Sequence, residues 1–332
     1  MIRHGWLLAV FVLVANSGPL SAAEPPAVIT REFIYETAPF PSCHASTLAE
    51  TPAGLVAAWF GGTDEKDPDV GIWVSRHSKE GWSTPVEVAN GIQYRRPDGT
   101  VHRHPCWNPI LFQQPGGVLY LFYKVGPDPA AWWGMVTSSQ DGGVTWARGQ
   151  RLPEGILGPV KNKPLLLDDG WLLCPTSSEH DGWRTHFELL PLHADAKEAH
   201  WLRVGPVEQP ENFSTIQPSV LRHKDGSLQA IGRSRNGKLF TTTSKDQGRS
   251  WSQMALTTLP NPNAGTDAVT MQDGRHVLIY NHTPKGRSPL NVDVSTDGVE
   301  WSAALALETE PGEYSYPAII QTSDGLLHVT YT

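Results

Sequence analysis

Six polar side chains stand at equivalent points of a repeated pattern, each just before a Pro or Ala that heads a short, mostly apolar run: His44, Asn108, Lys163, Gln217, Asp267 and Tyr316. Set along a narrow channel, they could serve only to keep it wet. A Lys, an Asp, a His and a Tyr gathered at one mouth can do more, holding a charged ligand and moving protons on it. Three further stretches belong with them. Gly61-Gly62-Thr63-Asp64-Glu65-Lys66-Asp67-Pro68-Asp69 is either a solvated acidic loop or a sharply turning one that carries acids over the mouth. His102-Arg103-His104-Pro105-Cys106-Trp107-Asn108 crowds two His, an Arg and a Trp together. There Trp107 is either a core residue or a platform for a sugar ring, with His104 and Asn108 as hydrogen-bonding neighbours. Arg233 and Arg287 fall on adjacent repeats, where they could clamp one carboxylate bidentately.

These residues need elements that deliver them to one place. Each apolar run is followed by a turn Gly (Gly54, Gly117, Gly170, Gly226, Gly274, Gly325) and then by a second β-rich run, such as Leu55 to Phe60 or His276 to Tyr280. Strand, Gly turn, strand is the hairpin signal, and here it recurs along the whole chain. A Trp follows each of the first five hairpins, at 82, 146, 201, 251 and 301. Ser139-Gln140-Asp141-Gly142-Gly143-Val144-Thr145-Trp146 and Ser244-Lys245-Asp246-Gln247-Gly248-Arg249-Ser250-Trp251 are full S-x-D-x-G-x-[ST]-W boxes, and the copy ending at Trp301 is one residue shorter. In such a turn Asp and Ser accept local amide hydrogens, Gly supplies positive φ and Trp anchors the hairpin, so these Asp residues are structural.

Six such β units predict an all-β protein: a single six-bladed β-propeller over residues 24–332, with four-stranded antiparallel blades. In a propeller the innermost strands line the channel and start at one end, which brings the six polar residues near a shared mouth. The chain stops soon after the second strand of the sixth repeat. Arg31 to Glu36 can supply an outer strand by closure of the ring ends, which leaves the last blade one strand short.

Composition agrees. With 31 Gly, 28 Pro and 13 Trp, and only 18% charged residues, the chain is neither a helical bundle nor disordered. A net charge of −8 offers no footprint for nucleic acid. Three Cys without C-x-x-C spacing suggest neither a zinc site nor a disulfide scaffold; Cys43 and Cys106 could pair and leave Cys174 over, or all three could be buried thiols. No metal or other cofactor is expected. At the N-terminus a basic start, an apolar run from Trp6 to Ala15 and the small residues Ser21-Ala22-Ala23 read as a secretory signal peptide over residues 1–23, cleaved near Ala23. The expected product is secreted or periplasmic and has no membrane span.

The boxes, the six hairpin repeats and Gly286-Arg287-Ser288-Pro289-Leu290-Asn291 leading into Ser295-Thr296-Asp297 resemble the sialidase (neuraminidase) superfamily, and within it the bacterial BNR/Asp-box branch. The resemblance covers nearly all of residues 30 to 332. It implies an exo-acting glycoside hydrolase for an acidic sugar such as sialic acid, a monomer with a glycan or glycoconjugate as its partner. Family sialidases use a Tyr nucleophile assisted by a Glu, an Asp acid/base on a blade-one loop, and three Arg on the substrate carboxylate. Carried over, this gives Tyr316 as nucleophile with Tyr314 as a rival, Arg233 and Arg287 as two of the Arg, and Glu65, Asp67 or Asp69 as the acid. This sequence departs at two positions, with His44 in place of the first Arg and Gln217 in place of the Glu. Asp267, or Lys161 or Lys163 acting on the Tyr pKa, could compensate. Two alternatives stay open: a hydrolase or lyase for uronate polysaccharides with His44, His104 or Tyr316 as base, and a non-catalytic glycan-binding propeller.

Overall fold

The computed structural model describes residues 9–13, 28–192 and 200–332, and these contain strands and turns but no helix. Five four-stranded sheets and one five-stranded sheet are built mostly from consecutive antiparallel strands, with a short ribbon of Ile92–Arg95 and Val101–Arg103 to one side. The strands that begin the sheets are Ser42–Thr51, Cys106–Gln113, Leu165–Leu166, Thr215–Arg222, Asp267–Thr270 and Ala318–Gln321. Ser42–Thr51 touches both Cys106–Gln113 and Ala318–Gln321, Asp267–Thr270 touches both Thr215–Arg222 and Ala318–Gln321, and Trp171–Ser178 packs on Thr215–Arg222. First and last sheets therefore meet, which is a β-propeller arrangement.

Packing between radial sheets explains why the strands read as apolar runs rather than alternating ones. Leu119, Leu121, Tyr123 and Val125 share a core with Val56, Ala58 and Phe60 of the first sheet, whereas Phe122, from the same strand, packs with Leu172 and Cys174 of the third. Side chains alternate in direction, but both directions are interior.

The Ser/Asp turns end the third strands. Asp141 accepts from Thr145 N at 2.9 Å and from Thr145 Oγ1 at 2.6 Å, Ser139 Oγ accepts from Gly143 N at 2.8 Å, and Trp146 Nε1 donates to Gly143 O at 3.2 Å. Asp246 and Asp297 repeat the scheme, and Trp251 stacks on Phe187 of the preceding sheet at 3.9 Å. Hydrogen bonds from Thr145 hold the Asp141 carboxyl well below the ordinary range, the signature of a structural carboxylate.

The closing sheet differs from expectation. Its order is Val28–Phe33, Ala9–Leu13, Leu327–Tyr331, Ala318–Gln321, so the outer strand covers Val28–Phe33 rather than Arg31 to Glu36, and the place expected to be empty is filled. Val10 and Val12 around Phe11 favour a strand, and Leu327–Tyr331 and Val28–Phe33 would otherwise present open edges. This strand falls inside the segment read as a signal peptide; Ala23 and the rest of that segment lie outside the described residues.

Three inner strands carry the same irregularity. Pairing shifts between His44 and Thr47, Trp107 and Ile110, and Ile216 and Ser219. Within each bulge one residue is left-handed: Ala45 (φ 55°), Asn108 (φ 33°) and Gln217 (φ 56°), with Tyr316 (φ 50°) in the corresponding place before the last inner strand. Aligning repeats by their Pro or Ala thus mis-set the first one. Ser46, not Ala45, occupies the Pro position, so His44 corresponds to Trp107, Ile216 and Ser315, one residue before the left-handed position.

All three Cys are buried free thiols, so the Cys43–Cys106 pairing is not formed. Cys43 Sγ instead accepts from Tyr35 Oη at 2.9 Å.

Candidate functional site

A pocket of about 470 Å³ opens at the mouth, with Tyr316 in its lining. A bulky residue in the left-handed region is costly, of order 1–3 kcal/mol, and is kept where the surroundings require it. Here they do. The His44 ring lies against the phenol ring at 4.2 Å between centroids, and the guanidinium groups of Arg233 and Arg287 and the Lys161 ammonium sit 5.4, 5.9 and 5.9 Å from the ring centroid. Gly265 makes room: a Cβ there would stand 3.3 Å from the Tyr316 ring.

Arg233 comes from Leu228–Ser234, the second strand of the fourth sheet, and is 7% exposed. Among the described residues its guanidinium makes one hydrogen bond, a long one to Asn263 O at 3.4 Å, and its Nε has no partner. A cation this buried and this poorly paired is costly unless an anion completes it. One face of Arg233 is covered by Trp183, 5.0 Å away, and Arg235 lies 4.2 Å from the same indole. Arg287 is placed by the loop after the fifth sheet's second strand and donates to Glu313 at 2.8 Å. Two guanidinium groups therefore face one cavity.

Of the acidic loop, Asp64 and Glu65 reach the pocket. Partial burial raises the Glu65 carboxyl above the ordinary Glu value despite Lys66 and Arg287 nearby. Asp69 turns away and accepts from Thr63 N at 3.0 Å and Thr63 Oγ1 at 2.8 Å, closing the loop on itself. Asp67 does not line the pocket, and its carbonyl accepts from Val70 N. Burial, and then Arg287, Arg233 and Lys161, push the His44 imidazole down to about 3, so it is neutral at physiological pH and adds no third positive charge. Lys161, 5% exposed, is pushed down to about 7 by burial, and donates to Thr266 O at 2.7 Å and to Pro317 O.

The other sequence candidates lie elsewhere. Asp267 is a buried tie between sheets: its carboxylate accepts from Lys163 Nζ at 2.9 Å, Ser219 Oγ at 2.9 Å, Ala268 N at 2.8 Å and Ile319 N at 2.9 Å. Its acceptor capacity is taken up by these bonds, and neither Asp267 nor Lys163 lines the pocket. Gln217 is 2% exposed, with its backbone carbonyl accepting from Asn162 Nδ2 at 3.0 Å, and Asn108 is 5% exposed; neither lines the pocket. Trp107 is a core residue rather than a platform, donating to Gly126 O at 2.9 Å and packing with Trp132 and Val160. His104 stands edge-on to Trp133, away from the pocket. Tyr314 packs against Tyr331 and leaves the pocket to Tyr316.

Sequence reading missed Asp64, Trp183, Asn263 and Glu313. Trp183 could have been found. His180-Asp181-Gly182-Trp183 is the turn after a second strand, the same station in its repeat as the acidic loop in the first.

The described residues contain no group of His, Cys, Asp and Glu arranged to hold a metal ion. They also include no helix long and apolar enough to cross a membrane.

The sequence matches the BNR repeat-like domain over residues 53–329. Comparison with curated proteins finds no match. Among solved structures, a protein of unknown function from Dyadobacter fermentans superposes with a TM-score of 0.68 at 17% identity, covering 90% of this chain and 96% of the other. The NanB sialidase of Streptococcus pneumoniae gives 0.72 at 13% identity, covering 90% and 67%. The intramolecular trans-sialidase of Ruminococcus gnavus gives 0.66 at 14%, covering 87% and 90%. At these identities the likeness is one of fold.

Proposed function

Since the chain belongs to the BNR repeat-like domain family, we propose that it is a six-bladed, exported, sialidase-like exo-glycoside hydrolase for an acidic sugar. The observation that carries this reading is the convergence of Arg233, Arg287, Glu65 and Tyr316 on one pocket. In the proposed reaction Arg233 and Arg287 hold the sugar carboxylate, and Tyr316 Oη attacks the anomeric carbon. Glu65, whose partial burial favours the protonated form, gives its proton to the departing oxygen. With Gln217 outside the pocket, the Tyr316 proton needs another acceptor. Lys161, 5.9 Å from the centroid of the Tyr316 ring and pushed down by burial, is the group assigned to it. Water then attacks the anomeric carbon and loses a proton to the Glu65 carboxylate, while the departing Tyr316 oxygen takes its proton back from Lys161.

The test is turnover of sialyllactose and of aryl sialosides by the wild type and Tyr316→Phe. Loss of about 10⁴-fold in kcat is expected on removing a nucleophile. Full activity in Tyr316→Phe would overturn the assignment, and no turnover by the wild type would favour a glycan-binding propeller. The neutral His44 against Tyr316 favours a second reading, β-elimination from a uronate with this pair moving the proton. Unsaturated product absorbing in the ultraviolet would establish it.

A further inference from the structure

A second cavity, of about 230 Å³, opens between the second and third sheets beside the first. The partition is one hydrogen bond thick: Trp183, of the first pocket, donates through Nε1 to Glu179 Oε2, of the second, at 3.0 Å. Trp132, at the end of the loop after Leu119–Val125, and Trp133, which opens the next strand Trp133–Ser139, form an aromatic wall. His186 belongs to the lining although it is 1% exposed. Glu188 holds its Nε2 at 3.1 Å, and its Nδ1 has no partner among the described residues. A buried ring nitrogen left without a partner costs about as much as a lost hydrogen bond, so this one awaits a group that supplies it.

The cavity is rigidly built. Glu188, fully buried, also accepts from the amides of Leu157 at 3.1 Å and Gly158 at 2.7 Å, and buried Lys124 donates to Pro159 O. These bonds fix the segment that forms one lip and then runs on to Lys161. Charge in the lining is balanced in number: Arg151 pairs with Glu154 at 3.3 Å, and the lining holds one further Arg, Arg203, and one further Glu, Glu179. A small space with indole walls, no net charge and a single waiting imidazole nitrogen suits one polyhydroxyl ring rather than an anion or an extended apolar chain.

We propose that this cavity is a second binding site, taking a neutral sugar residue, so that the protein engages an acidic sugar and a neutral one side by side. The proposal rests on the glycan reading above for the class of ligand, but on separate residues. Lactose and, separately, N-acetylneuraminic acid are titrated into the full chain and followed by calorimetry. Lactose is expected to bind the wild type and Arg233→Ala alike, and to bind at least tenfold more weakly to His186→Phe and to Ala130→Trp, which plugs the exposed rim. N-acetylneuraminic acid should show the opposite pattern. Ala130→Trp carries the test if His186→Phe does not fold. Lactose that fails to bind the wild type, or binds Ala130→Trp undiminished, overturns the second site. Failure of N-acetylneuraminic acid alone overturns the acidic-sugar reading and leaves this one standing.

Discussion

The channel and its mouth use the same residue types to opposite ends. In the channel, the Asp267 carboxylate is met by an ammonium, a hydroxyl and two amides. At the mouth the Arg233 guanidinium is nearly as buried, yet among the described residues it has a single long bond and an unpartnered Nε. Burial alone therefore does not separate structural from functional polar groups. Saturation separates these two: the Asp267 carboxylate, filled by its own chain, ties sheets together, and the Arg233 guanidinium, left unfilled beside a pocket, can take an anion.

Removing a member of the saturated set should be the most damaging to stability. Asp267→Ala leaves Lys163 without its counter-charge and two amides without an acceptor. It is expected to cost about 3–5 kcal/mol in denaturant unfolding, and a smaller loss would break the comparison. Arg233→Ala should leave stability unchanged or improved and instead reduce kcat/KM for an acidic glycoside about 10²–10³-fold, so unfolding midpoints and kinetics measured on both variants sort the two regions. Next comes Glu65→Gln, expected to cost about 10²-fold. Because the Glu65 carboxyl is raised, its acid form persists to higher pH than in free Glu and is lost above that point. The wild-type rate should fall on the alkaline side, and the variant should lose that limb.

The two buried lysines sharpen the comparison further. Lys124 and Lys161 are both pushed to about 7, so above that pH the unfolded chain binds more protons than the folded one, and stability rises with pH. Between pH 7 and about 9, below the ordinary Tyr range, the wild type should gain stability relative to Lys124→Met/Lys161→Met. A flat difference would mean that these ammonium groups are better satisfied than their burial implies. The smallest effect belongs to the far end of the sheets, where Asp246→Ala removes one turn's bonds. A loss of about 1 kcal/mol in unfolding, with kcat untouched, is expected there.

Local chemistry was what the sequence displayed best. The Ser/Asp turns and Gly hairpins are specified by residues a few positions apart, and Arg233, Arg287 and Tyr316 follow from their stations in the repeats. The bulge was invisible, because Ala45 and Asn108 look alike only through their φ angles, and this displaced His44 by one position. Trp107 could not be told from a binding platform, since indoles serve both uses and only packing decides. Four acids in one loop could not be ranked, because Asp69 is spent on closing the loop and that choice is made in three dimensions. The closing strand was missed because one apolar run reads equally well as a leader segment and as a strand.

Trp183 also has a spectroscopic consequence. Two guanidinium groups, of Arg233 and Arg235, lie 5.0 and 4.2 Å from the centre of its indole, which borders the pocket. A carboxylate that draws Arg233 toward itself changes the charge next to that ring, and indole emission responds to neighbouring charge. The difference in fluorescence between the wild type and Trp183→Phe would then act as a built-in optical gauge of occupancy, reporting ligand arrival without a label and without turnover.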